Sequence, residues 1–470
     1  LPHFKLTIPR KDDFSGDYFI ELGGVLMKPV IRLSQCMIVK DEEKNIRQAL
    51  NWGKGIVCEQ IVVDTGSTDK TVEIAEARGA KVFHFPWEHD FSAAKNFAIE
   101  QAKGNWIAFL DADEYFSDKD ARKIIPMLKR VEKNSTHPAR PHVIRTLLVN
   151  LDDSGNRINT GVQYRIFRNI PKLRYRSRIH EYLDLTDGSQ LFSWDAMETL
   201  AVFHTGYARA VCIEKKKEER NIFMIRKELE KDPGNSMMWS YLGDSLLADE
   251  KLEEAEEAYF RATENPDAVM EIDRKNLSFA FWFKTKYIRN SGSEEDFMEV
   301  YQKAKNCGCD TPDVDYWAGQ WFCRQGAEEK TRLYFEQALQ LLDEYKGNDP
   351  LDISGRLTFV YQWLFFFYTK NNRSSEMIRY GVFTLRAEPY EFSVLKEILL
   401  LLKREPGEEK TAAATFGFLS KLYDLSIFKN KIFLIKVSEQ AAFPALENKL
   451  SLLLSEQERE FVDKSGDIFR

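Results

Sequence analysis

The sequence predicts two blocks: an open α/β sandwich toward the N-terminus and an all-α array of helix–turn–helix repeats toward the C-terminus. Three observations carry this expectation. Between residues 33 and 110 short apolar runs alternate with helical stretches, the pattern of a mostly parallel sheet covered on both faces. From about Ala208 the text turns helical, and one spacing of large and small residues returns. All seven histidines (His3, His84, His89, His137, His142, His180, His204) lie in the first 204 residues, which separates a block equipped for chemistry from one that is not. At 470 residues and roughly 150 per domain, length alone suggests about three domains.

The elements follow in order. Strands are expected at 36–39, 60–63, 81–84 and 106–110, with helices at 42–52, 68–78 and 91–103 between them. In such sheets ligands bind beyond the carboxyl ends of the strands, so the polar residues just after each strand are the candidates. After Pro141 come strand-like pieces at 142–150, 161–168 and 172–175, with a turn at Asp152-Asp153-Ser154-Gly155; they read as an antiparallel extension of the sheet. A further strand is expected at 200–203. A charged helix at 213–231 bridges to the repeats. There Trp239, Leu242, Gly243, Leu246, Ala255, Tyr259, Ala262 and Pro266 are spaced as in a tetratricopeptide repeat, whose small residues let two helices touch. Gly319, Phe322, Phe335 and Ala338 repeat the offsets, and Phe281, Tyr301, Ala304 and Trp363 with Pro389 echo them more weakly. Stacked repeats form a superhelix whose concave face suits a partner.

Composition narrows the class. With 43% hydrophobic and 30% charged residues, the chain is neither disordered, collagen-like nor membrane-embedded in character, and a net charge of -7 offers no footprint for nucleic acid. The six cysteines (Cys36, Cys58, Cys212, Cys307, Cys309, Cys323) form no CxxC pair and no zinc spacing. So few thiols suit a reducing cytosol, and a cytoplasmic location is expected. The densest apolar runs, 360–368 and 398–402, fall short of the roughly 20 residues that span a bilayer, so no membrane insertion is expected. The chain begins at Leu1, a start compatible with a removed leader.

Three segments could carry chemistry. Asp111-Ala112-Asp113, with Glu114 beside them, follows the strand at 106–110; on residues leaving a strand, side chains two apart point to the same side, so Asp111 and Asp113 are expected to face the crevice and share one hard cation. Such an ion stabilises the charge of a leaving diphosphate. In Val63-Asp64-Thr65-Gly66-Ser67-Thr68-Asp69, Asp64 ends a strand where it can accept the ring N–H of a base, Gly66 permits the turn, and Asp69 reads as a helix cap. Asp90-Phe91-Ser92-Ala93-Ala94-Lys95-Asn96 opens another helix, with Ser92 as the expected cap and Lys95 and Asn96 a turn further in, near a phosphate or a base. No GxGxxG or GxxxxGK[ST] loop is present.

Together these segments resemble glycosyltransferase family 2, inverting enzymes of the GT-A fold. Val39-Lys40-Asp41-Glu42 resembles the first-strand motif, 63–69 the Asp-x-Gly-Ser-x-Asp turn, and Asp111-Ala112-Asp113 the metal motif. A narrower likeness lies in Arg178-Ile179-His180-Glu181 and His204-Thr205-Gly206-Tyr207, followed by 215–221 and the repeats. These are similar to the branch with C-terminal tetratricopeptide repeats that includes the sublancin-type peptide S-glycosyltransferases. The boundaries implied are a 1–32 extension that matches no motif, a GT-A nucleotide-sugar-binding domain at 33–207, a linking helix at 208–235 and an all-α repeat domain at 236–470.

The resemblance implies a hexose transferred from a UDP-sugar to a peptide or protein side chain, with the repeats holding the acceptor. It assigns Val39, Asp41, Asp64, Lys95, Asp111 and Ala112 to the nucleotide-sugar, and Asp113 and His204 to Mn²⁺ or Mg²⁺. Lys95 stands where Arg is the commoner family choice, which keeps the charge but not the bidentate geometry. Inversion requires a general base near the acceptor, for which Glu181 is the candidate; its competing role is an ion pair with Arg176 or Arg178. His180 is expected to hydrogen-bond donor or acceptor. Two other functions compete: transfer to a surface glycan or lipid-linked acceptor, and a repeat scaffold with an inactive catalytic domain. The array also leaves room for a homodimer.

Overall fold

A computed structural model describes residues 20–22, 25–27, 30–134, 140–205, 214–264, 270, 272–347, 351–405 and 407–464. Of the residues named above, His3, His137, Gly206, Tyr207, Ala208, Cys212 and Pro266 lie outside these. The chain divides into two units, Leu1–Gly234 and Asn235–Arg470.

In the first unit, β1 (Ile20–Leu22) and β2 (Val25–Met27) form a small hairpin. The main sheet starts with β3 (Leu33–Val39), β4 (Glu59–Asp64), β5 (Lys81–His84) and β6 (Trp106–Phe109), all parallel. Apart from Ile38, which is partly exposed, every residue of β3 is buried, as a strand covered on both faces requires. Helices α1 (Ile46–Asn51), α2 (Thr71–Ala77) and α3 (Phe91–Gln101) connect them. All three are shorter than the alternation suggested, because tight turns occupy the positions in front of the first two. After β7 (Glu114–Phe116) and the charged helix α4 (Asp118–Asn134) comes the antiparallel extension. It consists of β8 (Val143–Leu151) and β9 (Arg157–Arg168), with β9 antiparallel to both β6 and β8.

The segment expected at 172–175 departs from that reading. β10 (Leu173–Arg176) pairs with β11 (Tyr182–Leu185) in a separate two-stranded sheet. The reason is local: the Asn96 amide of α3 takes both the backbone N–H and the backbone C=O of Tyr175, each at 2.9 Å, and draws the strand onto the helix. Next come β12 (Ser193–Asp195), parallel to β8, and β13 (Ala201–His204). β13 lies between β8 and β7, so the sheet order is β5-β4-β3-β6-β9-β8-β13-β7 with β12 beside β8. Helix α5 (Glu214–Lys231) belongs to this unit and carries Phe223, which meets the His89 ring edge-on at 5.1 Å.

The second unit is helical. It begins with α6 (Ser236–Ala248) packed on α7 (Leu252–Glu264), then α8 (Ile272–Arg289) and α9 (Glu294–Asn306), and α10 (Pro312–Arg324) packed on α11 (Glu328–Glu344). The array continues through α12 (Leu357–Lys370), α13 (Ser374–Ala387), α14 (Phe392–Leu402), α15 (Glu408–Leu419), α16 (Phe428–Gln440), α17 (Pro444–Ser451) and α18 (Glu456–Lys464). The repeat spacing has a steric cause. A Cβ on Gly243 would stand 2.5 Å from the Tyr259 ring, and one on Gly319 would stand 2.4 Å from the Phe335 ring, so each glycine admits the large side chain of the paired helix.

Candidate active site

The parallel strands end where β3, β4 and β6 deliver their polar residues. Past β3 the chain turns at Asp41 with φ 55°, a left-handed conformation that Asp tolerates. The Asp41 carboxylate accepts the Thr68 N–H at 2.7 Å, and its own N–H donates to Ser67 Oγ at 2.9 Å. The Val39 carbonyl accepts from the Thr65 N–H and hydroxyl at 3.0 Å each. Asp64, 4% exposed, accepts the N–H groups of Gly66 and Ser67 at 3.2 and 3.1 Å. Gly66 has φ 110°, which glycine alone adopts cheaply. His84 Nδ1 lies 3.4 Å from the same carboxylate. The cap position of α2 is Lys70, not the expected Asp69, which stands one residue earlier and accepts the Thr71 N–H at 2.9 Å. Two motifs distant in sequence therefore form one rigid rim.

The segment after β6 is a turn, not an extended strand: the Glu114 N–H donates to the Asp111 carbonyl at 3.0 Å. The expectation that Asp111 and Asp113 face one cation together fails on this geometry. The Asp111 carboxylate sits between Lys95 Nζ at 3.3 Å and Arg165 Nη2 at 2.8 Å, whereas Asp113 faces His204 Nε2 at 3.2 Å. Partial burial of the Asp111 carboxyl favours its neutral form, yet Lys95 and Arg165 prevail and hold it well below the usual carboxylate range. Ala112 packs in the apolar core beside Met37 and Val39, so Val39 and Ala112 have only backbone to offer a ligand.

His204 reaches Asp113 because β13 pairs with β7, placing His204 opposite Glu114. Its Nδ1 lies 2.7 Å from Asn150 Oδ1, and the Asn150 amide nitrogen donates to Asn159 at 2.6 Å. Asn150 therefore presents oxygen to the ring, Nδ1 carries a proton, and Nε2 is left to share a proton or a cation with Asp113. The hydrogen bond to Asp113 raises the His204 pKa against the opposing effect of burial. Among the described residues no cluster of three or more His, Cys, Asp or Glu side chains is arranged around one ion position; Asp113 and His204 face each other as a pair.

Lys95 is 2% exposed, and its ammonium lies 2.6 Å from Glu181 Oε1. The ion pair of Glu181 is thus with Lys95. Arg176 pairs with Asp184 at 3.0 Å, and Arg178 pairs with Glu228 of α5 at 3.4 Å. His180 is exposed with φ 52°. Asn96, expected near a phosphate or a base, spends its amide on the Tyr175 backbone. The cap of α3 is Asp90, whose carboxylate accepts the Ala93 N–H at 2.9 Å; the Ser92 hydroxyl instead donates to the Ser177 carbonyl at 2.5 Å.

Sequence reasoning missed Arg165 and Asn150, and noted Glu114 only as a neighbour of the two aspartates. Arg165 Nη2 bridges Asp111 at 2.8 Å and Glu114 at 2.5 Å, and Glu114 in turn accepts the Asp111 N–H at 3.1 Å. This closed ring preforms the acidic turn. Its partners are 51 and 54 residues away, and only the antiparallel β6–β9 register, with Ala108 opposite Ile166, brings them together. A basic residue in a strand beside acidic strand ends was the available signal.

The parallel strands of a mixed sheet thus end at an acidic turn, with an all-α domain following in the chain. Residues 34–199 match the model of glycosyl transferase family 2. The chain is similar to a TPR repeat-containing protein of Synechococcus elongatus, 32% identical over 48% of this chain and 55% of that protein. It is also similar to the SPbeta prophage-derived glycosyltransferase SunS of Bacillus subtilis, 29% identical over 47% of this chain and 50% of that one. The chain spans about half the length of these relatives. No helix among the described residues is long and apolar enough to cross a membrane.

Proposed function

We propose that the protein is a metal-dependent inverting glycosyltransferase that moves a hexose from a UDP-sugar to a peptide or protein side chain. The observation that carries it is the preformed edge where Asp41, Asp64, Asp111, Asp113, His204 and Glu181 meet the ends of the parallel strands. In this reading the base and ribose lie against the Asp41–Asp64 rim, with Asp64 accepting a ring N–H. Asp111 and the backbone at Val39 and Ala112 line the sugar-diphosphate. Asp113 and His204 fit Mn²⁺ or Mg²⁺, since a hard cation satisfies the carboxylate and the Nε2 lone pair together and leaves positions for diphosphate oxygens. Held by Asp113 and His204, such an ion would supply positive charge to the departing diphosphate.

Glu181 serves as the base: it takes the acceptor proton while the acceptor atom attacks C1 from the face opposite the diphosphate. His180, exposed beside it, hydrogen-bonds donor or acceptor. The repeat domain presents the peptide, an arrangement its stacked helix pairs suit. A screen of sugar nucleotides with Mn²⁺, read as nucleoside diphosphate released and as a hexose mass shift on candidate peptides, tests this. Turnover that vanishes in Asp113→Ala supports it; no turnover and no UDP binding with any donor would refute it.

A further inference from the structure

We infer that Lys95 is the positioning residue of the general base: it sets where the Glu181 carboxylate stands relative to the donor carboxylate Asp111. This rests on the proposed role of Glu181 and moves Lys95 from the diphosphate to the acceptor half of the site.

The Lys95 side chain is 3% exposed, and its ammonium lies 2.6 Å from Glu181 Oε1 and 3.3 Å from Asp111 Oδ1. The rings of Phe109 and Tyr175 lie beneath it, with centroids 5.3 and 5.2 Å from Nζ. A buried ammonium survives only when paired, and here the pairing spans two segments of different origin. Asp111 follows β6, while Glu181 sits in the β10–β11 loop. That loop is bound to the helix that bears Lys95: Tyr175 by Asn96, the Ser177 carbonyl by the Ser92 hydroxyl, and the Arg178 carbonyl by the Phe91 N–H at 2.8 Å. Helix α3 thus holds the backbone of the base loop and, through Lys95, the carboxylate itself.

In transfer, the acceptor X–H proton passes to Glu181 and the freed pair on X forms the bond to C1. The C1–O bond breaks with its pair leaving on the diphosphate. Without Lys95, Asp111 would keep Arg165 at 2.8 Å while the Glu181 carboxylate would lose its ammonium partner, and the base would swing out of line. A misplaced base slows transfer and leaves donor binding intact.

The test compares wild type, Lys95→Met and Lys95→Arg in the full chain, measuring UDP affinity with Mn²⁺ by calorimetry and kcat and KM for transfer. The expected result is a fall in kcat of at least about 100-fold in Lys95→Met, with UDP affinity changed less than about threefold. Lys95→Arg, which keeps the charge, should recover at least about tenfold of that loss. Should Lys95→Met not fold, the Arg variant read by the same split carries the test, with kcat reduced and UDP affinity kept. A Met or Arg variant that loses UDP affinity about tenfold while its kcat stays at the wild-type value overturns the inference, as does a Met variant with unchanged kcat. Wild-type protein that neither binds UDP nor turns over defeats the glycosyltransferase proposal instead.

Discussion

The proton on His204 and the cation proposed for Asp113 compete for one nitrogen. The Asp113 hydrogen bond lifts the imidazole above its ordinary pKa of about 6.5. A raised pKa means the pair stabilises the metal-free protein below the unfolded value and loses that contribution as pH rises through the folded one. Metal binding needs Nε2 free, so its dependence runs the other way. Mn²⁺ titrations should show tighter binding at pH 8 than at pH 5.5, with the difference flattened in His204→Ala. Asn150 acts one bond further out: by accepting from Nδ1 at 2.7 Å it aims the ring, and Asn150→Ala should weaken Mn²⁺ about 10-fold to 100-fold. His204 was legible as a site residue from its place after a strand. Asn150 was not, because nothing in the sequence ties it to a residue 54 positions away.

At the scale of elements, small residues and short polar side chains decide which segments meet. Asn96→Ala removes both hydrogen bonds to Tyr175 and strands two backbone groups, an expected loss of about 1–3 kcal/mol measurable as a lower denaturant midpoint. Gly243→Ala and Gly319→Ala would drive a methyl into the rings of Tyr259 and Phe335 and should each cost about 1–3 kcal/mol. An unchanged midpoint in both would remove the steric account of the repeat. The parallel strands were readable because burial on both faces demands a continuous apolar run. The hairpin β10–β11 was not, since its partner is an asparagine on a helix, not a neighbouring strand in the main sheet.

For the whole molecule, the division at Gly234 and Asn235 invites a separation of tasks. A chain ending at Gly234, which keeps α5 and its ion pair from Glu228 to Arg178, should bind UDP with Mn²⁺ as the full chain does and lose glycosylation of peptide acceptors. Equal peptide turnover by the shortened chain would transfer acceptor recognition to the first unit. The two-block plan, the parallel strands, the first repeat and most of the candidate site residues could be read from residue order, because burial periodicity and turn chemistry are local properties that each segment carries with it. The division of labour between Asp111 and Asp113, the burial of Lys95 against Glu181, and the ring through Arg165 and Glu114 arose only on folding. Each depends on strand register and on charges brought together from distant positions, where pairing in a low-dielectric interior, not spacing along the chain, selects the partner.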